Sequence, residues 1–122
     1  MSLIAMAVHD LDDNGRSELT QKTLASLART VCFSKHRLII VDNGSCEKTK
    51  RIIENFLHIE GVSVITLPQN EGTALAINRA WSQRLPGEHC IKIDNDCVIH
   101  SKNWIEEMEE AIPLDPVSEN LN

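Results

Sequence analysis

Four short runs of apolar, largely β-branched residues, separated by stretches of helical periodicity, constrain the fold of this 122-residue chain more than any other feature. Leu3 to Val8 is continuously apolar, as a strand covered on both faces requires. Residues 37–41, 62–66 and 90–94 supply three further strands. Between the first two, Leu24, Leu27, Ala28 and Val31 fall at the i, i+3, i+4, i+7 spacing of a helix face within Ser17 to Val31. After Ser45, a second helix carries Ile52, Ile53, Phe56 and Leu57 on one side and Lys48, Lys50 and Arg51 on the other. Thr73 to Arg84 predicts a third helix with Ala74, Ile77, Ala80 and Trp81 inward. Ser101 is the expected N-cap of a last helix through Ile112, stopped by Pro113 and Pro116. This alternation predicts an α/β, Rossmann-like domain over residues 1–112, followed by a polar tail over 113–122. Its sheet should be parallel, in the order 3-2-1-4, with helices on both faces.

Composition narrows the function. Hydrophobic residues are 42% and charged residues 25% of the chain, a globular balance. Aromatics are 3% with no Tyr, which removes a base-stacking platform. The net charge of −6 disfavours a phosphate-backbone footprint, so no nucleic-acid partner is expected. No apolar run reaches the roughly 18 residues of a membrane span, and Met1 to Val8 has no basic start or small-residue cleavage site. Cys32, Cys46, Cys90 and Cys97 form no C-x-x-C pair and read as free thiols of a reducing compartment. The expectation is cytoplasmic.

In such sheets ligands bind beyond the carboxyl ends of the strands, where strand order reverses. Those ends carry His9 and Asp10, Asp42 to Ser45, Gln69 to Gly72, and Asp94 to Asp96. Asp94 and Asp96, two residues apart on a turn, suit a hard divalent cation such as Mg²⁺ or Mn²⁺; the alternative is a turn that merely ends the strand. Asp42-Asn43-Gly44-Ser45 either sets a carboxylate against a base or ribose donor or forms a well-made turn with Ser45 capping the next helix. Gly72, Ala74 and Ala76 let a helix start approach a phosphate, and Asn78 stands inside that helix without a propensity reason. Neither G-x-G-x-x-G nor G-x-x-x-x-G-K-[ST] occurs. Asp10-Leu11-Asp12-Asp13-Asn14-Gly15 opens like a calcium loop, yet Gln21 stands where the bidentate Glu belongs, so a solvated loop is expected. His9 is a possible base contact; His36, His58, His89 and His100 read as surface.

Taken together these segments resemble the donor-binding half of the family 2 glycosyltransferases, with the fold called GT-A. The resemblance runs over residues 3–112 through the first strand, Val41 to Ser45, the stretch from Asn70 and Gly72 to Asn78, and Asp94-Asn95-Asp96. Trp104-Ile105 also fits the family pattern. It implies a nucleoside-diphosphate sugar as ligand, a UDP-sugar favoured. By the same resemblance Asp42 would bond the base, with Val8 and His9 flanking it. Asn70 and Gly72 would lie near ribose and diphosphate, and Asn78 belongs to the same segment. Asp94 would contact ribose or sugar, and Asp96, with Asp94, would hold the cation. Such enzymes invert the anomeric carbon, with a carboxylate base activating the acceptor.

Two departures qualify the resemblance. The first strand ends Val8-His9-Asp10 rather than in a polar-aromatic run. Ten residues follow Ile112, too few for the family's general base and acceptor pocket, so no catalytic base is named. The expectation is an N-terminal half of a transferase, incomplete on one side and open to self-association through an edge strand. A non-catalytic nucleotide-binding module and a nucleotidyltransferase are the alternatives.

Overall fold

The two central apolar runs become strands because their alternate residues meet apolar cover on both sides, while the runs at the edges of the sheet are only partly covered. In a computed structural model, which describes residues 1–12 and 14–112, the strands are β1 (Ser2–Val8), β2 (Arg37–Asn43), β3 (Val62–Leu67) and β4 (His89–Lys92). Helices α1 (Ser17–Thr30), α2 (Glu47–Glu54), α3 (Thr73–Trp81) and α4 (Trp104–Ala111) alternate with them. All three strand pairings are parallel and the order is β3-β2-β1-β4, as the alternation predicts. Asp13, Pro113, Pro116 and the polar tail 113–122 lie outside the described residues.

The two faces of the sheet bury different cores. Ile4, Met6 and Val8 of β1, with Leu38 and Ile40 of β2, pack against Leu24 and Leu27 of α1, Ile53 of α2 and Ile105 of α4. The opposite face holds Leu3, Ala5, Ile39 and Val41 against Ala76, Ile77 and Ala80 of α3. Each large side chain buried this completely contributes about 1.5–3 kcal/mol relative to exposure. The third helix turns Ala76 inward where the sequence suggests Ala74, which is exposed. It also ends at Trp81, three residues early, because Leu85 precedes Pro86 and the chain tightens through Gln83 and Arg84. The last helix begins after Asn103 rather than after Ser101. Ala28 on α1 is exposed as well.

What α1 buries instead is a row of hydroxyls. Thr20, Thr23, Ser26 and Thr30 are all buried. Thr23 Oγ1 accepts the Cys97 N–H (3.0 Å) and Ser26 Oγ accepts the Ile99 N–H (3.1 Å). Thr30 Oγ1 accepts Nε1–H of Trp104 (3.2 Å). The segment from Asp94 to Asn103 has no helix or strand of its own, so the Thr23 and Ser26 hydroxyls satisfy backbone donors there, and Thr30 the Trp104 indole, that burial would otherwise leave unpaired. They thereby fix where the Asp94-Asn95-Asp96 turn sits.

Gly44, after β2, has φ +77°, and a Cβ there would stand 2.9 Å from the Asn70 backbone N and 3.0 Å from Gln69. Gly44→Ala is therefore expected to cost about 2–3 kcal/mol, combining left-handed strain with a backbone clash that no rotamer relieves. A urea titration followed by circular dichroism measures it; a loss below 1 kcal/mol, by that same rough scale, would mean the Asn70 loop yields freely.

Candidate functional site

The four strand ends meet at one cleft. A cavity of about 250 Å³ is lined by Ala7, Val8 and His9 from the end of β1, Arg16, Asn43 at the end of β2, Asn70, Gly72 and Thr73 at the start of α3, and Asn95 after β4. It opens where strand order reverses between β1 and β4. Of the residues singled out in the sequence, Val8, His9, Asn70 and Gly72 line it together.

Asp42 does not. Side chains alternate along a strand, and Asp42 is in register with Val8, on the side of α2. Buried there, it accepts the Ser45 N–H at Oδ1 (2.9 Å) and Lys50 Nζ at Oδ2 (2.6 Å). Its own hollow is lined by Lys50, Ile53, Glu54, Leu57, Val64 and Thr66. The neighbouring Asn43 faces the cleft in its place. Asn43 Oδ1 accepts the Glu71 N–H (2.8 Å) and its Nδ2 donates to the Gly72 carbonyl (3.2 Å), latching β2 to the loop before α3. Asn70 Oδ1 accepts the Gly72 N–H (2.9 Å), and Gly72 holds φ +88°, so the loop is tied at both ends. His9 Nδ1 lies 2.8 Å from the Asn43 carbonyl. Asn78 is exposed on α3 over a separate hollow lined by Thr73, Ala74, Ile77, Trp81 and Lys92.

Ser45 is not a helix cap. Cys46 precedes α2, while Ser45 Oγ donates to the Val8 carbonyl (3.1 Å) and accepts the Asp10 N–H (3.1 Å). It joins the ends of β1 and β2.

The hub beneath the cleft is Asp10, fully buried. Its Oδ2 accepts the hydroxyls of Thr20 (2.5 Å) and Thr49 (3.0 Å), and its Oδ1 accepts Asn95 Nδ2 (3.0 Å). Arg16 Nε stands 3.9 Å from Oδ1. The carboxylate that a calcium loop would turn to its ion is thus turned inward, while Asp12 is exposed. Sequence reasoning missed this role; the signal available was an Asp at a strand end followed by small hydroxyl residues at helical spacing.

Asn95 carries that hub to the surface. Because its Nδ2 faces the acceptor-only Asp10 carboxylate, its Oδ1 must face outward. There Arg16 Nη2 lies 3.2 Å from Asn95 Oδ1 and 3.2 Å from Asp96 Oδ2. Asp94 and Asp96 are both exposed, and Asp94 pairs with Lys92 at 3.4 Å. The fit to a divalent ion rests on this arrangement. A cationic nitrogen already sits between two oxygen donors at the cleft mouth, which is the donor chemistry Mg²⁺ or Mn²⁺ takes together with phosphate and water.

A second cluster lies at the other end of the sheet. His36, Glu106 and Glu109 stand close enough to share one ion. His36 Nδ1, however, accepts the Ser2 N–H (3.1 Å), which places the ring proton on Nε2, 2.6 Å from Glu106. A ring so engaged at both nitrogens has no lone pair free for a metal. Burial works to raise the Glu109 carboxyl, but the Ser2 hydroxyl and the terminal ammonium outweigh it and hold it below the usual glutamate value.

Fold and cleft together define a Rossmann-like α/β class with its cleft at the carboxyl edge of a parallel sheet. The profile of glycosyl transferase family 2 matches residues 14–118, and the chain belongs to that family. Among solved structures, S. aureus TarS 1–349 is 20% identical with a TM-score of 0.75, over 92% of this chain and 32% of that one. The same protein in complex with UDP-GlcNAc is 22% identical with a TM-score of 0.72, over 92% of this chain and 31% of that one. The mannosyltransferase PcManGT from Pyrobaculum calidifontis, in complex with GDP-Man and Mn²⁺, is 13% identical with a TM-score of 0.78, over 94% and 32%. At these identities the likeness establishes the fold, here GT-A. The chain spans about a third of the length of these neighbours. No curated protein matches it. Among the described residues no helix is long and apolar enough to cross a membrane.

Proposed function

We propose that the cleft binds a nucleoside-diphosphate sugar through a divalent cation, as the donor half of an inverting glycosyltransferase. The observation that carries this reading is the convergence of four strand ends on one cavity at whose mouth the Arg16 guanidinium lies between Asn95 Oδ1 and Asp96 Oδ2. Asp96 and Asp94 would hold the ion, and His9, Asn43 and the tied loop of Asn70 and Gly72 would frame base, ribose and diphosphate. The ion would act as a Lewis acid on the departing diphosphate. The protein's own part is positional. Asn43 keeps the Glu71-Gly72 backbone at a fixed distance from β2, and Asp10 holds Asn95 so that its carbonyl oxygen faces the cleft. The start of α3, whose N-terminal dipole favours negative charge, borders the cavity at Thr73. Both UDP and GDP sugars occur in neighbours of this fold, and a UDP-sugar remains the choice for this chain. Asp42, turned to Lys50, is left out of base recognition.

Calorimetric titration of UDP and GDP, with and without Mn²⁺, tests the reading. UDP should bind with Mn²⁺ and bind much more weakly in EDTA. Asp96→Ala should abolish that difference, a loss of about 10- to 100-fold in the metal-dependent affinity, the worth of a charge-assisted interaction. Metal-independent binding, or none to the folded chain, would overturn it.

A further inference from the structure

Arg16 is the only Lys or Arg among the residues lining the cavity, and it stands where the metal would. Resting on the reading above, we propose that Arg16 is an exchangeable counter-cation: it holds the Asn95 and Asp96 oxygens until a divalent ion takes them, then turns its guanidinium to the diphosphate. Four observations support this. Its grip is light, since one nitrogen, Nη2, serves both oxygens at 3.2 Å each. By contrast Arg37 grips the buried Glu88 with two nitrogens at 2.8 and 2.7 Å, the fork geometry of a permanent pair. Its side chain is 35% exposed and enters from the loop end just before α1, so its stem is free to swing. Asp10, 3.9 Å from Nε, already has hydrogen bonds from Thr20, Thr49 and Asn95, so it does not need Arg16 to stay satisfied. Finally, a guanidinium and a divalent ion repel each other strongly within a few ångströms, so both will not occupy the same two oxygens. Displaced into the cavity, Arg16 meets the phosphates in the geometry guanidinium groups favour.

The consequence is a pair of effects of opposite sign. Removing Arg16 frees Asp96 for the ion and deprives the nucleotide of a contact. Mn²⁺ alone, followed by the electron paramagnetic resonance of the free ion, should bind Arg16→Ala about fivefold more tightly than the wild type, since a competing unit charge is gone. UDP at saturating Mn²⁺, followed by calorimetry, should bind the same variant about tenfold more weakly. Arg16→Gln keeps the stem and a polar head and should show both changes in the same directions, which guards against a folding defect in the alanine variant. Unchanged Mn²⁺ affinity, or two changes of the same sign, in variants whose wild type binds UDP with Mn²⁺ would overturn the role of Arg16 and leave the nucleotide reading standing. A wild type that binds no UDP with Mn²⁺ would overturn the nucleotide reading, and the role of Arg16 with it.

Discussion

Asp10→Ala is expected to lower the unfolding free energy by about 3–5 kcal/mol, the cost of breaking a fully buried charged network. The carboxylate is 0% exposed and receives three side-chain hydrogen bonds, from Thr20, Thr49 and Asn95. Alanine leaves the Asn95 amide facing a void, and the Thr20 and Thr49 hydroxyls lose their common acceptor. A domain stable by about 5–15 kcal/mol would lose a large share of its margin. Asp10→Asn should lose less, because its Oδ1 can still accept Asn95 Nδ2–H while its Nδ2 donates to the Thr20 and Thr49 hydroxyls once these reverse. Urea unfolding of the three proteins measures the series. A loss within about 1 kcal/mol for alanine would show that the hub is not the clasp between β1, α1 and the turn after β4.

Arg37→Ala should cost about 3 kcal/mol at neutral pH, because it strands the buried Glu88 carboxylate without its partner. Glu88 is 1% exposed and also accepts the Leu85 N–H (2.8 Å), so the pair ties the start of β2 to the turn before β4. Burial, the largest single influence, would raise the Glu88 carboxyl, but the bond and charge of Arg37, with the Leu85 N–H and the Arg84 charge, together outweigh it and hold it below the ordinary value of 4.5. A carboxyl depressed in the folded state adds stability above its unfolded value, and that stability fades as pH falls through the lower folded value. In Arg37→Ala burial is opposed only by the Leu85 N–H and the Arg84 charge, so the carboxyl rises and protonation relieves the stranded charge. The difference between wild type and variant should therefore narrow as pH is lowered through about 5 to 4. Thermal melts across that range read it. A difference that stays constant or widens on acidification would place the energy of the pair in packing rather than charge.

The element order was legible because it rests on local periodicity. The β-branched runs, the helix face of Leu24 and Leu27, and polar residues at every strand end are visible without knowing what touches what. From these follow the parallel sheet, its 3-2-1-4 order and the edge on which the cleft lies. Two features were not legible. Helix ends shifted by up to three residues at Trp81 and Asn103, where turn geometry competes with propensity. That Asn43 rather than Asp42 faces the cleft turned on a strand end two residues further along than the apolar run suggests, since β2 continues through Asn43. Once both residues are inside the strand, the two-residue alternation sends neighbouring side chains to opposite faces.

The sequence by itself determined the architecture and the edge at which its polar residues gather, because backbone periodicity and turn chemistry act within a few residues. Which of those residues share a cleft was decided only in three dimensions. Asp10 meets Asn95 across 85 residues, and the α1 hydroxyls meet the Cys97 and Ile99 backbone and the Trp104 indole across more than 70. Hydrogen bonds of that separation leave no local pattern, since their geometry comes from packing α1 beside the turn after β4. The same packing sets Arg16 between Asn95 and Asp96, a cation that no spacing in the sequence connects to either.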